Sequence, residues 1–276
     1  MEISLPVTLA VLGAALLHAG WNVMVKAGPD KDLETVAIAV GSRLIALVLL
    51  PLVPAPSPGS WPWLAGSALV HILYFVFLAG AYRHGALSYT YPIMRGGGPM
   101  IVVLAGIFVF NEIPLFAQVI GVLLICTGIV GFAYGTHDRR ATVFAIANAV
   151  VIAAYTMIDA QGARLSGAPV SYTLWFFAVN GVVIGAYGMA RRRASVPAYL
   201  RRHWMREALG GACAVAAYAI ALWAMTRAPV ALVAVLRETS VIFAAVIATY
   251  VLKEKFTRRR AWATGAVLAG LIALRI

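Results

Sequence analysis

Ionisable side chains interrupt several long apolar stretches of this sequence, and these side chains could carry chemistry. Arg95, Arg237 and Glu238 lie near the middle of such stretches. Asp159 lies towards the end of another, and His18 is deep within the first. Placing a charge at mid-membrane depth costs about 2.5–3.5 kcal/mol on insertion scales, so each group needs a partner or a hydrated cavity. The pattern predicts a polar site inside an apolar protein.

The types of these residues indicate what the site would bind. Arg95 and Arg237 could hold a carboxylate or phosphate, because a planar guanidinium donates two parallel hydrogen bonds to an oxyanion. Glu238 could bind a substrate amine or carry a coupling proton, and Asp159 is a second candidate proton carrier. His18 is assigned to the same substrate site. The alternative is structural: Glu238 or Asp159 neutralises an arginine and ties helices together.

Aromatic and amide side chains near these charges are candidates for cavity walls. Trp21 and Asn22 belong to the first apolar stretch, Tyr155 is placed similarly in the sixth, and Tyr91 precedes Arg95 by one helical turn. They suit a pocket that is mostly apolar with a few directional polar contacts. Ordinary packing between helices accounts for the same residues equally well, so both interpretations remain open.

The composition identifies the elements that must position these groups. Of the 276 residues, 62% are hydrophobic and 12% are charged, whereas soluble domains average about 45–50% and about 25%. So few charges cannot cover a water-soluble surface. Long apolar runs and a mean hydropathy of +0.89 exclude a disordered chain. The sequence is therefore that of a polytopic membrane protein.

Ten stretches are long enough to cross a hydrocarbon core of roughly 30 Å as helices. They cover residues 6–26, 33–53, 62–82, 86–110, 115–135, 141–161, 170–190, 206–226, 229–252 and 261–275. Their connections are short, and alternating segments of the kind found in membrane strands are not visible. The predicted fold is all-α with ten transmembrane helices, and the lipid bilayer is its first partner.

The distribution of charge predicts an orientation. The chain has 22 Lys and Arg against 10 Asp and Glu, a net charge of +12. Most of the basic residues fall in loops that join odd to even stretches, which places these loops in the cytoplasm and both termini outside. Attraction to an anionic leaflet explains the basic balance, so nucleic acid is not expected as a partner. The two cysteines, Cys126 and Cys213, lie in apolar runs and predict neither a disulfide nor a metal site.

The chain also repeats itself. A shift of 142 residues superimposes three pairs: Arg95 on Arg237, Glu112 on Glu254 and Gly128 on Gly270. Arginine and glutamate are rare in membrane spans, so their shared spacing indicates an internal repeat. Five stretches per half is an odd number, which makes the halves inverted relative to each other with a binding site between them. The predicted halves are residues 1–137 and 138–276.

The two halves differ around their arginines. Residues 91–99 read YPIMRGGGP, and two prolines with three glycines predict a broken helix whose freed backbone groups line a cavity. Close packing between helices is the alternative, because small residues let helices approach. The matching stretch, residues 235–240, has neither glycine nor proline. We therefore expect the two halves to be specialised differently.

Three stretches carry a family pattern. The first span reads ALLHAGWN at residues 15–22 and ends at Lys26. EIPL follows the fourth span at residues 112–115, and EKFT follows the ninth at residues 254–257. These stretches resemble the drug/metabolite transporter superfamily, specifically the EamA-like permeases. The resemblance covers essentially the whole chain and implies ten helices in two repeats, a central cavity and alternating access. It also implies cytoplasmic termini, in contrast to the loop charges.

These observations predict a secondary transporter in a bacterial inner membrane. We expect it to export a small polar or zwitterionic metabolite, such as an amino-acid-like compound, as a monomer or homodimer. No cofactor is expected, and protons are the candidate coupling ion. A flippase of a lipid-linked substrate fits the same pattern. An intramembrane enzyme would need a nucleophile–base pair or metal cluster at helical spacing, and the sequence offers none.

Overall fold

The computed structural model is a bundle of helices, and no strand occurs among the residues it describes. Those residues are 3–85, 87–131, 133, 138–192, 195–251 and 258–274. The helices are α1 (Leu5–Ala27), α2 (Lys31–Leu49), α3 (Trp61–His84), α4 (Leu87–Val109), α5 (Phe116–Val130), α6 (Arg139–Ser166), α7 (Pro169–Arg192), α8 (Ser195–Met225), α9 (Val230–Arg237), α10 (Ser240–Val251) and α11 (Arg258–Ala273). The motif at Glu254 and the predicted repeat boundary at residue 137 lie outside the described residues.

Eight helical segments in the described part of the chain are long and apolar enough to cross a bilayer. They are α1, α2, α3, α4, α6, α7, α8 and the segment Val230–Ile247, which combines α9 with most of α10. Helices α5 and α11 are apolar but have only 15 and 16 residues. At 1.5 Å per residue, α5 rises about 23 Å, less than the hydrocarbon core. A count of ten spans therefore stays a prediction.

Contacts between the connections divide the bundle into two ends. At one end, Arg192 at the close of α7 binds Asp30 just before α2, with Nη1 and Oδ2 2.9 Å apart. At the other end, the Ser57 hydroxyl before α3 donates to the carbonyl of Leu165 near the end of α6 over 2.6 Å. We call the first the basic end, because the α7–α8 arginines lie there, and the second the Arg164 end.

The helix contacts keep the same pattern when the two halves are exchanged. Helix α3 packs on α6 as α8 packs on α1, and α4 packs on α6 as α10 packs on α1. Helices α5 and α11 pack on each other, with Gly121 against Gly270 and Gly128 against Ala263. The shift of 142 residues carries the first glycine contact onto the second. The repeat in the sequence is therefore also present in the packing.

Helix α4 is not broken around Arg95, so that prediction was wrong. It runs from Leu87 to Val109 with Pro92 and Pro99 inside it. Its glycines are packing surfaces instead. A Cβ on Gly96 would lie 2.8 Å from a side chain of α5, and one on Gly98 would lie 2.8 Å from a side chain of α6. Each proline removes one amide donor, and close contact with two neighbours holds the helix together across those gaps.

The break occurs in the matching segment of the second half. Helix α9 ends at Arg237 and α10 begins at Ser240. Between them the amide of Thr239 donates to the carbonyl of Leu236 over 3.1 Å, the three-residue spacing of a 3₁₀ turn. The Thr239 hydroxyl donates to the same carbonyl over 2.8 Å. A hydroxyl that competes for backbone acceptors explains why the break needs neither glycine nor proline.

Helix α8 begins earlier than the predicted stretch at residue 206. It starts at Ser195 and bends at His203, where φ is −119° and ψ is 18°. The added turns expose Arg201 and Arg202 together with Trp204. Basic residues beside an exposed indole are typical of a segment at the membrane–water interface. Hydropathy alone missed these turns because their polar residues dilute the apolar signal.

Candidate functional site

The predicted charges at the centre of the bundle form a connected chain across the two halves. The Nε atom of Arg95 in α4 lies 2.8 Å from Oε2 of Glu238, which follows α9. The Nη2 atom of Arg95 lies 3.3 Å from Nε2 of His18 in α1. The indole of Trp21 donates to Nδ1 of the same histidine over 3.3 Å. Three helices that are distant in sequence are therefore joined through one guanidinium.

The break between α9 and α10 gives Glu238 its position. Glu238 is the residue at which α9 stops, and it is 4% exposed. Arg95 is 8% exposed in the unbroken α4. A carboxylate and a guanidinium buried together avoid most of the cost that either would have alone. The second-half arginine thus ends a helix and its neighbouring acid begins the turn, whereas the first-half arginine lies within a continuous helix.

Both arginines line one small cavity at the centre of the bundle, which has room for about one water molecule. Its other lining residues come from α4, α6 and the α9–α10 segment: Pro99, Val102, Ile152, Tyr155, Thr156, Ala234 and Glu238. The pockets that bind metabolites are far larger, usually about 300–1,000 Å³. A metabolite would therefore require this cavity to widen.

Arg237 has a different environment from Arg95. Its guanidinium carbon lies 5.4 Å from the ring centre of Tyr218 in α8, a cation–π distance. Within the described part of the chain, the only ion pair at the cavity joins Arg95 to Glu238. Among the described residues, Arg95 is therefore paired with an acid, whereas Arg237 packs against a tyrosine ring and is attracted to Glu238 without forming an ion pair with it.

Asp159 contacts the hydroxyl of Tyr218, and in the described part of the chain it takes no part in the Arg95–Glu238 ion pair. It is fully buried, and its two carboxylate oxygens accept hydrogen bonds from the hydroxyls of Tyr172, over 3.0 Å, and Tyr218, over 2.5 Å. All three residues belong to the second half, on α6, α7 and α8. Asp159 is therefore connected to the cavity through the tyrosine that Arg237 covers, and also through His71, whose ring lies against that of Tyr155.

The remaining predicted residues fall into two groups. Tyr155 lines the cavity, and its ring centre lies 4.2 Å from that of His71. Trp21 reaches the site only through His18, as described above. Tyr91 is partly buried against the cluster that contains Tyr155, outside the cavity lining. Asn22 donates to the carbonyl of His18, one turn earlier in its own helix, over 2.7 Å, and it is not among the residues that line the cavity.

At the Arg164 end, an ion pair joins the two halves. Nη2 of Arg164, in α6, lies 2.8 Å from Oε1 of Glu112, which follows α4. Nε of Arg164 also donates to the carbonyl of Met225 over 2.9 Å. Glu112 does not lie at the start of the following helix, because α5 begins at Phe116, and the side chain of Gln118 accepts from the amide before it. Glu112 instead closes this end of the bundle.

A second ion pair joins the halves at the basic end. Oε1 of Glu34 in α2 lies 2.5 Å from Nε of Arg206 in α8. The hydroxyl of Tyr199 donates to the other oxygen of Glu34 over 2.5 Å, and Arg206 also donates to the carbonyl of Met24 in α1. Glu34 is fully buried. In both end pairs the acid belongs to the first half and the arginine to the second.

Sequence reasoning missed several of these residues. Tyr218 and Tyr172 were not singled out, because a tyrosine in an apolar run gives no sign of which carboxylate it will meet. Glu34 and Arg206 lie close to loops in the sequence, where charge is ordinary. Within the described ranges, no three His, Cys, Asp or Glu side chains are grouped as a metal site would require.

Comparison with known proteins identifies the family of this chain and a solved structure with a similar fold. The model of the EamA-like transporter family matches residues 5–134 and again residues 139–276. A crystal structure of a protein with 18% sequence identity superposes with a TM-score of 0.74, covering 97% of this chain and 96% of that chain. It is one of 28 solved chains that match, and at this identity the likeness concerns the fold alone. No curated protein matches the sequence. Because the family match spans nearly the whole sequence in two copies, the chain belongs to the EamA-like transporter family.

Proposed function

We propose that the protein is a secondary transporter that exports a small polar or zwitterionic metabolite, with amino-acid-like compounds as the leading class. The observation that carries this proposal is the central cavity, where Arg95 and Arg237 come from different halves and only one of them is neutralised by Glu238. A substrate carboxylate or phosphate would bind Arg237, because a guanidinium already seated on a tyrosine face is oriented for a planar oxyanion.

Glu238 is the proposed partner for the opposite end of a zwitterion. A substrate ammonium group would share the carboxylate with Arg95, whose Nε lies 2.8 Å from Oε2 of Glu238. Loading the cavity would then add one negative and one positive charge, the carboxylate on Arg237 and the ammonium beside Glu238, so the net charge of the site would stay the same. A proton on Glu238 or Asp159 is the proposed coupling ion, since the sequence has no phosphate-binding Gly-Lys-Ser/Thr loop.

We further propose ten spans arranged as two inverted five-helix halves in the inner membrane, with the basic end in the cytoplasm. The exchangeable helix contacts and the paired glycine crossings of α5 and α11 support the inversion. The arginines of the α7–α8 connection support the orientation. Alternating access would open one end at a time, by separating either Glu112 from Arg164 or Glu34 from Arg206.

A ligand screen on the purified protein tests the function. The melting temperature of the detergent-solubilised protein is recorded with amino acids, polyamines, organic acids and phosphorylated sugars. A compound that binds only the folded protein stabilises it by about 2.7 kcal/mol at a hundred times its dissociation constant. We expect hits among carboxylates and phosphates, and we expect Arg237→Ala to abolish the stabilisation.

The matched control is Arg227→Ala. Arg227 also lies over an aromatic ring, that of Trp223, but it is exposed and lies outside the cavity. It should therefore retain the ligand effect of the wild type. Equal loss in both arginine variants would contradict the proposed anchor. A folded protein that responds to none of these compounds would overturn the soluble-metabolite proposal and favour the flippase of a lipid-linked substrate.

A further inference from the structure

Glu207 is a buried acid that the central site does not use. It lies in α8 at the basic end and is 2% exposed. Both of its carboxylate oxygens are shielded from solvent, and neither has a hydrogen-bond partner among the described residues. An unpaired carboxylate in such a place is costly, because it loses hydration and gains nothing in return.

The neighbouring charges do not compensate Glu207. The acid next to it is Glu34 from α2, whose negative charge repels that of Glu207. Arg206 is the nearest cation, but its guanidinium already binds Glu34 and the carbonyl of Met24. Tyr199 donates its hydroxyl to Glu34 as well. Two carboxylates thus lie near one arginine. Glu34 has both the ion pair with that arginine and the hydrogen bond from Tyr199.

Charges on the other helices at this end lie elsewhere or are engaged. Arg192, at the close of α7, binds Asp30 and approaches Asp32 to 4.0 Å. Lys26 occupies the last turn of α1. Arg43, further along α2, donates to the carbonyl of Ala178 in α7. None of these contacts supplies a hydrogen bond to Glu207.

Helices α2 and α8 are packed closely at the level of Glu207. A Cβ on Gly41 of α2 would lie 2.7 Å from the carbonyl oxygen of Glu207, and one on Gly211 would lie 2.7 Å from the amide of Ser42. The backbones of α2 and α8 therefore touch directly here. Because α2 belongs to the first half and α8 to the second, Glu207 lies at a contact between the two halves.

We propose that the Glu207 carboxylate is a proton-binding site, occupied when the basic end is closed and emptied when α2 and α8 separate. The inference rests on the proposed transport function, in which this end opens. A proton neutralises the carboxylate without requiring space, whereas a metal cation needs several oxygen ligands. Opening admits water, which hydrates the charged carboxylate and releases the proton. Proton binding and closure of the basic end are thereby linked.

The test measures how accessible the α2–α8 contact is at different pH values. Ser42, 1% exposed, is changed to cysteine in protein that carries Cys126→Ala and Cys213→Ala. The rate at which a maleimide labels this cysteine is followed by mass spectrometry, with Glu207 and with Glu207→Gln. Both proteins experience the same change in thiol reactivity, so the ratio of their rates isolates the contribution of Glu207.

We expect the ratio to be near one at about pH 5.5 and to rise at least about fivefold by about pH 8, because buried glutamates titrate in this range. Glu207→Asp keeps a carboxylate and should keep the pH dependence, which separates titration from damage to the fold. A constant ratio in folded proteins would overturn the proposal. Slower maleimide labelling of the Glu207 protein in sodium chloride than in choline chloride, at fixed pH, would also overturn the proposal. The ligand of the carboxylate would then be a metal cation. The assay uses no substrate, so a failed transport experiment leaves its outcome unaffected.

Discussion

Replacing Glu238 with alanine is expected to lower the free energy of unfolding by about 3–5 kcal/mol, because it leaves the Arg95 guanidinium buried and uncompensated. The side chains of Arg95 and Glu238 are only 10% and 6% exposed. His18, the other neighbour of Arg95, offers a single ring nitrogen at 3.3 Å and no negative charge. The measurement is denaturant unfolding of the detergent-solubilised protein.

The double variant Arg95→Leu with Glu238→Leu distinguishes the pair from its members. Removing both charges avoids a stranded ion, so this variant should be more stable than Glu238→Ala and near the wild type. Asp32→Ala is the surface control, because the Asp32 side chain is 87% exposed and should change stability by less than about 0.5 kcal/mol. A double variant as unstable as the single one would show that the ion pair is not what holds α4 to the α9–α10 turn.

Substituting Gly270 by alanine should destabilise the protein by about 3 kcal/mol, at the upper end of the cost of overpacking. The added Cβ would lie 2.6 Å from the carbonyl oxygen of Gly121 and 3.0 Å from the amide of Ile125. Both atoms are backbone, so α5 and α11 must move apart to relieve the contact. Loss of monodisperse protein in gel filtration and a lower melting temperature would report this separation.

Gly265 on the same helix provides the matched control. A Cβ there would meet nothing within 4 Å. Alanine is better than glycine inside a helix by about 1 kcal/mol, so Gly265→Ala should be neutral or stabilising. The opposite signs of the two substitutions would assign the effect to the helix crossing. Equal effects would mean that helix propensity, rather than the α5–α11 contact, determines the outcome.

Much of the fold could be predicted because bilayer physics leaves few choices. Apolar stretches of membrane length must be helices. The interval from arginine to glutamate is the same for Arg95 and Glu112 as for Arg237 and Glu254, and this spacing indicated the repeat. The interruption was predicted in the wrong half. Glycine and proline around Arg95 suggested a break, yet α4 stays continuous because α5 and α6 pack against its glycines. The break at Thr239 depends instead on the hydroxyl of that threonine, which binds the carbonyl of Leu236.

The candidate site was predictable only in part, for a related reason. Sequence identified Arg95, Arg237 and Glu238, because charges in apolar stretches are conspicuous. It could not say that Glu238 would bind the arginine of the other half, since the pairing depends on how the halves dock. Nor could it distinguish Asp159, held by two tyrosine hydroxyls, from an acid that salt-bridges an arginine.

The position of the central ion pair has a mechanical consequence. The end pairs lie far from the middle of the bundle, whereas Arg95 and Glu238 lie beside the approximate twofold axis that relates Arg95 to Arg237. When two rigid bodies rock about an axis, displacement grows with distance from it, so the ends travel furthest and the centre hardly moves. In the proposed transport cycle, the Arg95–Glu238 pair would therefore stay joined near the axis. The ion pairs at the two ends would be broken and formed again as each end opens and closes.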